Sequence, residues 1–333
     1  MAGDLGGGVE VFDAATGKEV RRLLFESPHV SSVAFSPDGS LLAVMSSQSA
    51  DLDLSATLQV CDLSSGKTLW TADPGDHVPG VVFSPDGRTL ATGGQTYTRH
   101  LWEVTTGGMR AQVQDRRWPH GDRFSIGLPA FSPDRRLLAT AHGDSTLLLW
   151  DLRALARHGK PLRVTLSEKE IAGCWSDLAS SDAAVAYRAM ALLNDAPISS
   201  LPFLQARLKP VSRDLRVADL FTALDDRHFS VRDRARRQLA EFWPRGPVFE
   251  KLLADASSAE VRSAVRIILD NMRSRRYGAD VLRSLRALET LEGIASKDAR
   301  QLLESLAGGH PDALLTQEAA TSLKRVGARA GSR

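Results

Sequence analysis

Phe-Ser-Pro-Asp-Gly stands at residues 35–39 and again at 83–87, and Phe-Ser-Pro-Asp-Arg stands at 131–135. The three copies begin 48 residues apart. A fixed period of about 40–50 residues indicates a repeat protein, in which each copy builds one supersecondary unit. We therefore predict three equivalent units, which are marked by Phe35, Phe83 and Phe131.

Each copy is predicted to form the turn of a β-hairpin, because alternating apolar residues precede it and others follow it. Proline fixes φ at the second turn position, and glycine adopts the positive φ that follows. Arg135 replaces this glycine in the third copy, so it must either be strained at positive φ or force a different turn. We expect a shifted turn. The aspartates that can accept hydrogen bonds from the turn backbone are Asp38, Asp86 and Asp134.

A third strand follows each hairpin and ends near a tryptophan–acid pair. Trp102 precedes Glu103 and Trp150 precedes Asp151, whereas the first copy has Cys61 where the tryptophan is expected. A turn and a fourth strand follow in the first two copies. A period of four strands that ends near such a pair resembles the WD-repeat β-propeller family, in which each period builds one blade. The resemblance covers about the first half of the chain.

The resemblance to WD repeats implies a hydrogen-bonded set in each blade. It consists of a histidine, a serine or threonine on the second strand, an aspartate before the third strand and the tryptophan on that strand. The third copy carries Thr140, Asp144 and Trp150, but Ser125 stands at the histidine position. The set is therefore incomplete, and we interpret the histidines of the earlier copies as structural rather than catalytic or metal-binding.

The strand count predicts an incomplete ring. Residues 9–13 and 20–25 match the last two strands of a blade whose first two strands are missing, and residues 161–166 are a candidate for the last strand. The total is about three and a half blades, whereas closed propellers have four to eight. Either another polypeptide completes the ring or the chain is the tail end of a longer protein, which we prefer. Because unpaired strand edges recruit other chains, self-association through open propeller edges is expected as one outcome.

The apolar spacing becomes helical from Ser167 onward. Ser167 and Glu170 form a helix-start signal, and helices are then predicted from 174 to 326. Val-Arg pairs at 231–232 and 261–262 are 30 residues apart, and each lies near the start of a predicted helix. Paired helices of this kind resemble HEAT-type repeats.

The predicted fold class is therefore multidomain β + α. A partial WD-repeat β-propeller is expected over residues 1–166, and a HEAT-like α-helical domain is expected over residues 167–333. This combination resembles the C-terminal part of a large bacterial WD-repeat protein. Members of that group carry kinase or sigma-factor-like regions upstream, which the resemblance implies and no residue of this sequence shows.

The composition is that of a globular protein without a membrane span. Hydrophobic residues make up 43% and charged residues 25% of the 333 residues. No apolar run approaches the length of a membrane helix, and the N-terminus lacks a secretion signal. Cys61 and Cys174 match no metal or redox spacing, so we expect unpaired thiols, no metal, no cofactor and a cytoplasmic location.

The densest basic cluster lies on a predicted helix at residues 232–237. Arg232 and Arg236 share one face of that helix, which makes them the candidate interaction residues. We favour a solvated face in which an arginine pairs with turn acids such as Asp226. Nucleic-acid contact is the less favoured alternative, because the other arginines of the cluster lie away from this face and form no single stripe that could follow phosphates.

The sequence contains no dinucleotide-binding glycine motif, no phosphate-binding loop, no zinc-protease motif and no nucleophile elbow. We therefore interpret the chain as a non-enzymatic protein–protein interaction scaffold whose partners are other proteins. Three alternatives remain open. They are a detached regulatory tail of a larger bacterial signalling protein, a helical-repeat nucleic-acid binder and a hydrolase with an unrecognised site.

Overall fold

Antiparallel sheets followed by helices make up the chain, as the sequence predicts at this level. The chain divides into two compact units. The β unit contains Met1–Lys160 and Asp182–Ala184, and the helical unit contains Pro161–Ser181 and Val185–Arg333. The computed structural model describes residues 7–25, 29–47, 56–75, 80–93, 98–114, 128–142, 145–157, 162, 164–242, 254, 258–273 and 277–331.

In the described residues, thirteen strands form four antiparallel sheets in which consecutive strands are neighbours. Sheet 1 has two strands, sheets 2 and 3 have four strands each, and sheet 4 has three. Sheet 1 contains β1 Gly7–Phe12 and β2 Glu19–Phe25; sheet 2 contains β3 His29–Phe35, β4 Leu41–Ser47, β5 Ala56–Asp62 and β6 Thr68–Ala72; sheet 3 contains β7 Gly80–Phe83, β8 Thr89–Gly93, β9 Thr98–Glu103 and β10 Met109–Gln114; and sheet 4 contains β11 Ala130–Phe131, β12 Leu137–Ala141 and β13 Leu147–Asp151.

The strand register aligns the three copies of the repeat. Leu42 pairs with Cys61, Leu90 with Trp102, and Leu138 with Trp150. The paired leucines are themselves spaced 48 residues apart, so each sheet repeats the same arrangement. Cys61 therefore occupies in sheet 2 the register position that the tryptophans occupy in sheets 3 and 4.

The hairpin turn of the third copy has the same form as the first two. The main-chain N–H of Gly39, Gly87 and Arg135 donates to the carbonyl three residues earlier at 2.8, 2.8 and 2.9 Å. Their φ angles are 69°, 71° and 64°. The expected shift of the third turn is therefore wrong, and Arg135 adopts the positive φ that was the other alternative. This conformation costs a non-glycine residue about 1–2 kcal/mol, and the side chain of Arg135 forms an ion pair with Asp86.

A second kind of turn joins the last two strands of sheets 1, 2 and 3. Gly17, Gly66 and Gly107 have φ angles of 67°, 73° and 73° in these turns. Each donates its N–H at 2.8 Å to the carbonyl of the acidic residue four positions earlier. Glycine is favoured at this position because it adopts a positive φ without steric cost.

Sheet 4 lacks this second turn. Its acidic residue is Asp151, and the fourth position after it holds Leu155 instead of a glycine. The chain forms α1 Leu152–Ala156 here, and the carboxylate of Asp151 accepts two main-chain N–H groups of the first helical turn. A fourth strand was predicted over residues 161–166. Residue 162 and residues 164–166 are not in a strand, and the other two lie outside the described residues.

Apolar side chains pack between neighbouring sheets of the β unit. Each cluster joins the face of one sheet to the face of the next, and α1 adds Leu152 to the last of them. Complete burial of such a side chain contributes about 1.5–3 kcal/mol. Fully or nearly fully buried members are Leu23 with Leu42 between sheets 1 and 2, Leu58 with Leu90 between sheets 2 and 3, and Leu101 with Leu138 between sheets 3 and 4.

The helical unit begins at the predicted start signal. The hydroxyl of Ser167 accepts the N–H of Glu170, and the Glu170 carboxylate accepts the N–H of Ser167 at 2.9 Å. This reciprocal capping starts the first long helix at Glu168, six residues before the predicted residue 174. The helices after α1 are α2 Glu168–Asp177, α3 Ala183–Asp195, α4 Pro197–Arg207, α5 Val217–Ala223, α6 Phe229–Ala240, α7 Ala259–Arg273, α8 Ala279–Ile294, α9 Lys297–Ala307 and α10 Leu314–Gly331.

Arg286 is a buried charged residue on α8 that binds the end of α2. Its Nη1 donates to the carbonyls of Leu178 and Ser180 at 2.8 and 2.7 Å. These carbonyls belong to the helix terminus, where the main chain has no intrahelical donors. Arg286 therefore satisfies buried main-chain acceptors inside the apolar cluster that contains Leu178, Ala287 and related side chains.

Candidate functional site

The three repeated aspartates hold their own turns. The carboxylates of Asp38, Asp86 and Asp134 accept the N–H of the residue two positions later at 3.1, 3.1 and 3.0 Å. In all three copies the serine hydroxyl two residues earlier also donates to this carboxylate, at 2.6, 2.5 and 2.6 Å. The aspartates are thus engaged in the local backbone rather than grouped around a shared cavity.

Asp86 differs from the other two because it is buried and binds the next copy. The guanidinium of Arg135, in the third turn, forms an ion pair with its carboxylate. Burial by itself would raise the pKa of Asp86, but the charges of Arg135 and Arg88 and the hydroxyl of Ser84 outweigh it and hold the pKa well below its ordinary value. The carboxylate is therefore charged at neutral pH and ties the second turn to the third.

The tryptophans donate to threonines on the neighbouring strand. Trp102 Nε1 donates to Thr92 Oγ1 at 3.0 Å, and Trp150 Nε1 donates to Thr140 Oγ1 at the same distance. Thr140 also forms a hydrogen bond of 3.0 Å with His142 Nε2. Sequence reasoning did not single out His142, although it stands directly after β12 and two residues after Thr140, a spacing that was a usable signal. Ser125 and Asp144, which were expected in this set, lie outside the described residues.

The remaining repeat residues differ in their surroundings. Phe83 packs against the cluster between sheets 2 and 3, and Phe131 packs against the cluster between sheets 3 and 4. Phe35 is largely exposed. Asp151 caps α1. Cys61, at the tryptophan position of sheet 2, is buried with its Sγ 3.6 Å from Thr68 Oγ1, and burial raises the pKa of its thiol.

Arg232 and Arg236, the candidate interaction residues, both lie on α6. Arg232 Nη1 donates to the main-chain carbonyl of Asp226 at 2.7 Å, so this guanidinium stabilises the turn before the helix. The Asp226 carboxylate accepts the N–H of His228 at 2.7 Å, and this bond and the His228 ring lower the pKa of Asp226. Arg236 is exposed. Arg232 is thus engaged with its own turn, and the interaction role of the two arginines stays a prediction.

The helical unit also contains a cleft of about 200 Å³. Trp175 forms part of its wall, and four charged residues line it: Arg207, Lys209, Glu241 and Asp280. Burial raises the pKa of Glu241, and the charge of Asp280 raises it further. The Arg207 guanidinium lies over the Phe203 ring, and Lys209 Nζ donates to a main-chain carbonyl. Charges of both signs in one small cleft favour no single catalytic role.

Within the described part of the chain, no three His, Cys, Asp or Glu side chains are grouped so that they could hold a metal ion. The same residues include no helix whose length and apolar character would allow it to cross a membrane.

Comparison with known families gives one match. Residues 17–52 and 125–151 match the WD40 family model, described as WD domain, G-beta repeat. The first segment contains strands β3 and β4 with the turn between them, and the second contains all of sheet 4. The WD-repeat resemblance is thus supported. The middle copy lies between the matched segments and shares their turn and register. No curated protein matches the chain.

WD40 repeats generally mediate protein–protein interactions and are generally non-catalytic modules. The repeated side chains themselves hold turns and pack sheets. The WD40 match therefore supports an interaction surface rather than a reaction centre.

Proposed function

We propose that the chain is a non-enzymatic protein–protein interaction scaffold. In this proposal the sheets of residues 1–166 are blades of a partial WD-repeat propeller, and the helices of residues 167–333 form a HEAT-like domain. The proposal rests on one observation above all: two matched WD40 segments fall on antiparallel sheets that repeat with a common register. Both families of repeats provide extended surfaces for partner proteins.

The contacts of the repeated acidic side chains support the same proposal. Asp38, Asp86 and Asp134 bind turn backbone, and Asp151 caps a helix. Acids that serve the fold in this way are poor candidates for general acid–base chemistry, which requires a group within reach of a substrate. The partners that we propose are therefore proteins, and their binding depends on the shape and apolar character of the surface.

We also propose a cytoplasmic location and self-association through open propeller edges. Cys61 and Cys174 are both buried free thiols, which is typical of a reducing compartment. Uncovered apolar sheet ends favour association with further β structure.

Affinity capture with the purified full-length chain tests the scaffold proposal. Soluble lysate is divided, one half is treated with nuclease, and both halves are passed over the immobilised chain at low and high salt. Retained proteins are identified by mass spectrometry, and nucleic acid retained from the untreated half is measured by absorbance. We expect a specific protein that binds saturably when purified and retitrated by calorimetry. Retention of nucleic acid with a steep salt dependence, and of no saturable protein, would contradict the scaffold and favour the nucleic-acid alternative.

A further inference from the structure

One face of sheet 4 is apolar and uncovered. Leu147 and Leu149 on β13 are 73% and 67% exposed, and Leu137 on β12 is also exposed. We call these three residues the leucine face. Alternate residues of a strand lie on the same face of its sheet, so Leu147 and Leu149 form one surface.

The same register positions are buried in the complete sheets. Leu149 pairs with Ala139, just as Leu101 pairs with Ala91 in sheet 3 and Val60 pairs with Ala43 in sheet 2. Leu101 and Val60 are completely buried. The exposure of Leu149 therefore depends on the neighbouring side chains and not on its position in the strand.

The side chain that covers this position comes from the next sheet. Val60 lies in one apolar cluster with Trp102, and Leu101 lies in the following cluster with Trp150. Both tryptophans occupy the register position just before the acidic residue of the third strand. Sheets 2 and 3 thus each offer an aliphatic side chain to the tryptophan of the next sheet, whereas sheet 2 has Cys61 at the tryptophan position.

Phe12 occupies that aromatic position in sheet 1. It stands directly before Asp13, whose N–H donates to Lys18 as the N–H of Glu103 donates to Gly108 in sheet 3. Phe12 is 53% exposed, and Val20 and Leu24 on the neighbouring strand are exposed too. Among the described residues, Leu149 therefore lacks the aromatic partner of the repeated contact, and Phe12 lacks the aliphatic partner.

We propose that a second copy of this chain fills both positions. The leucine face of one copy packs on Phe12, Val20 and Leu24 of the other copy, and the reciprocal contact closes the dimer about a twofold axis. Two sheets that pack face to face lie about 10 Å apart, which is the spacing that side chains of this size fill. This inference rests on the proposed self-association. It adds the two surfaces that meet, their head-to-tail arrangement and a stoichiometry of two copies.

The charges near Phe12 are compatible with this contact. Glu10 and Arg22 are paired across sheet 1, and their side chains form an ion pair of 3.5 Å. Since each charge has its partner within the same sheet, an apolar surface can approach without burying a lone charge. The contact would bury this pair together with aliphatic and aromatic carbon, and the desolvation of the pair is part of its cost.

Sedimentation velocity of the full-length protein at tens of micromolar tests the dimer. We expect the wild type to be dimeric, and Leu149→Glu and Phe12→Glu each to be monomeric with unchanged circular dichroism. Ile198→Glu on α4 is the matched control, because Ile198 is 76% exposed in the helical unit, and it should stay dimeric. A monomeric wild type, or a Leu149→Glu variant that remains dimeric, overturns the proposal.

Cysteine cross-linking tests the direction of the contact. Leu149→Cys and Phe12→Cys proteins are oxidised mildly, each alone and as a mixture, and the natural thiols are buried. We expect a cross-linked dimer only in the mixture. A dimer from Leu149→Cys alone would mean that two leucine faces meet and would overturn the head-to-tail arrangement. Partner capture with Leu149→Glu separates the two proposals, since a retained partner supports the scaffold whatever the oligomeric state.

Discussion

The indole of Trp102 lies in the apolar cluster between sheets 2 and 3 and donates its N–H to Thr92 at 3.0 Å. One side chain thereby fills the space between sheets and joins two strands of its own sheet. Cys61 holds the same register position in sheet 2, where it packs as a much smaller side chain in the cluster between sheets 1 and 2, and its sulfur lies 3.6 Å from Thr68 Oγ1. Equivalent positions therefore contribute differently to stability.

We expect Trp102→Ala to lower the free energy of unfolding by about 3–5 kcal/mol, because it removes a large buried aromatic side chain. Cys61→Ala removes a single small group and should cost about 1 kcal/mol. Urea denaturation followed by circular dichroism measures both values. Equal losses at the two positions would contradict the register alignment.

Arg135→Gly tests whether the ion pair with Asp86 outweighs the strain at positive φ. Glycine relieves about 1–2 kcal/mol of backbone cost, whereas removal of one partner of a buried ion pair costs about 3–5 kcal/mol. We therefore expect a net loss of stability at neutral pH. Arg136→Gly, at an exposed neighbouring position, is the control for the added glycine. An Arg135→Gly variant that is more stable than wild type would show that the pair contributes little.

The same ion pair predicts a pH dependence. The folded pKa of Asp86 is depressed, since the arginine charges outweigh the effect of burial. A carboxyl of this kind contributes stability that is present above its unfolded pKa of about 4 and lost as the pH falls through the folded pKa. Wild type should thus lose stability below about pH 4, and Arg135→Gly should lose less. Urea titrations at neutral and acidic pH measure the difference, and identical acid losses would contradict it.

At the scale of elements, the capping of α2 illustrates a feature that is both visible in the sequence and present in the structure. Ser167 and Glu170 satisfy each other's main-chain donors at the helix start. We expect Ser167→Ala to cost about 1 kcal/mol, because the first helical turn loses a hydrogen-bond acceptor. Ser263→Ala, at an exposed position inside α7, is the control and should not destabilise the protein. A thermal melt followed at 222 nm compares them, and equal melting temperatures for both variants would contradict the capping role.

The elements that the sequence predicts are those with local causes. The hairpins follow from Pro and Asp in each turn, and the start of the helical part follows from Ser167. The form of the third turn was not predictable, because the stabilising partner of Arg135 is Asp86, 49 residues away in the chain. His142 was missed although its partner Thr140 is only two residues away, because the pair matches none of the motifs that the sequence interpretation used.

At the scale of the whole molecule, we predict that residues 167–333 fold without the sheets. Their apolar clusters, around Leu193 and Leu288 and around Leu239 and Val265, consist of side chains from this part of the chain together with Leu166. A protein of residues 166–333 should show a cooperative helical melt by circular dichroism. A gradual, non-cooperative trace would mean that this part depends on the rest of the chain for its core.

Leu155 has a consequence for how such a protein can evolve. Repeat proteins grow by duplication of a period within the gene, and a new copy must continue the row of sheets. The period that ends at sheet 4 carries Leu155 where the others carry a glycine, and its chain turns into α1 after Asp151. A duplicate of this period would also carry Leu155 and would also form a helix after its third strand. The row of sheets can therefore lengthen only by duplication of the periods that come before it.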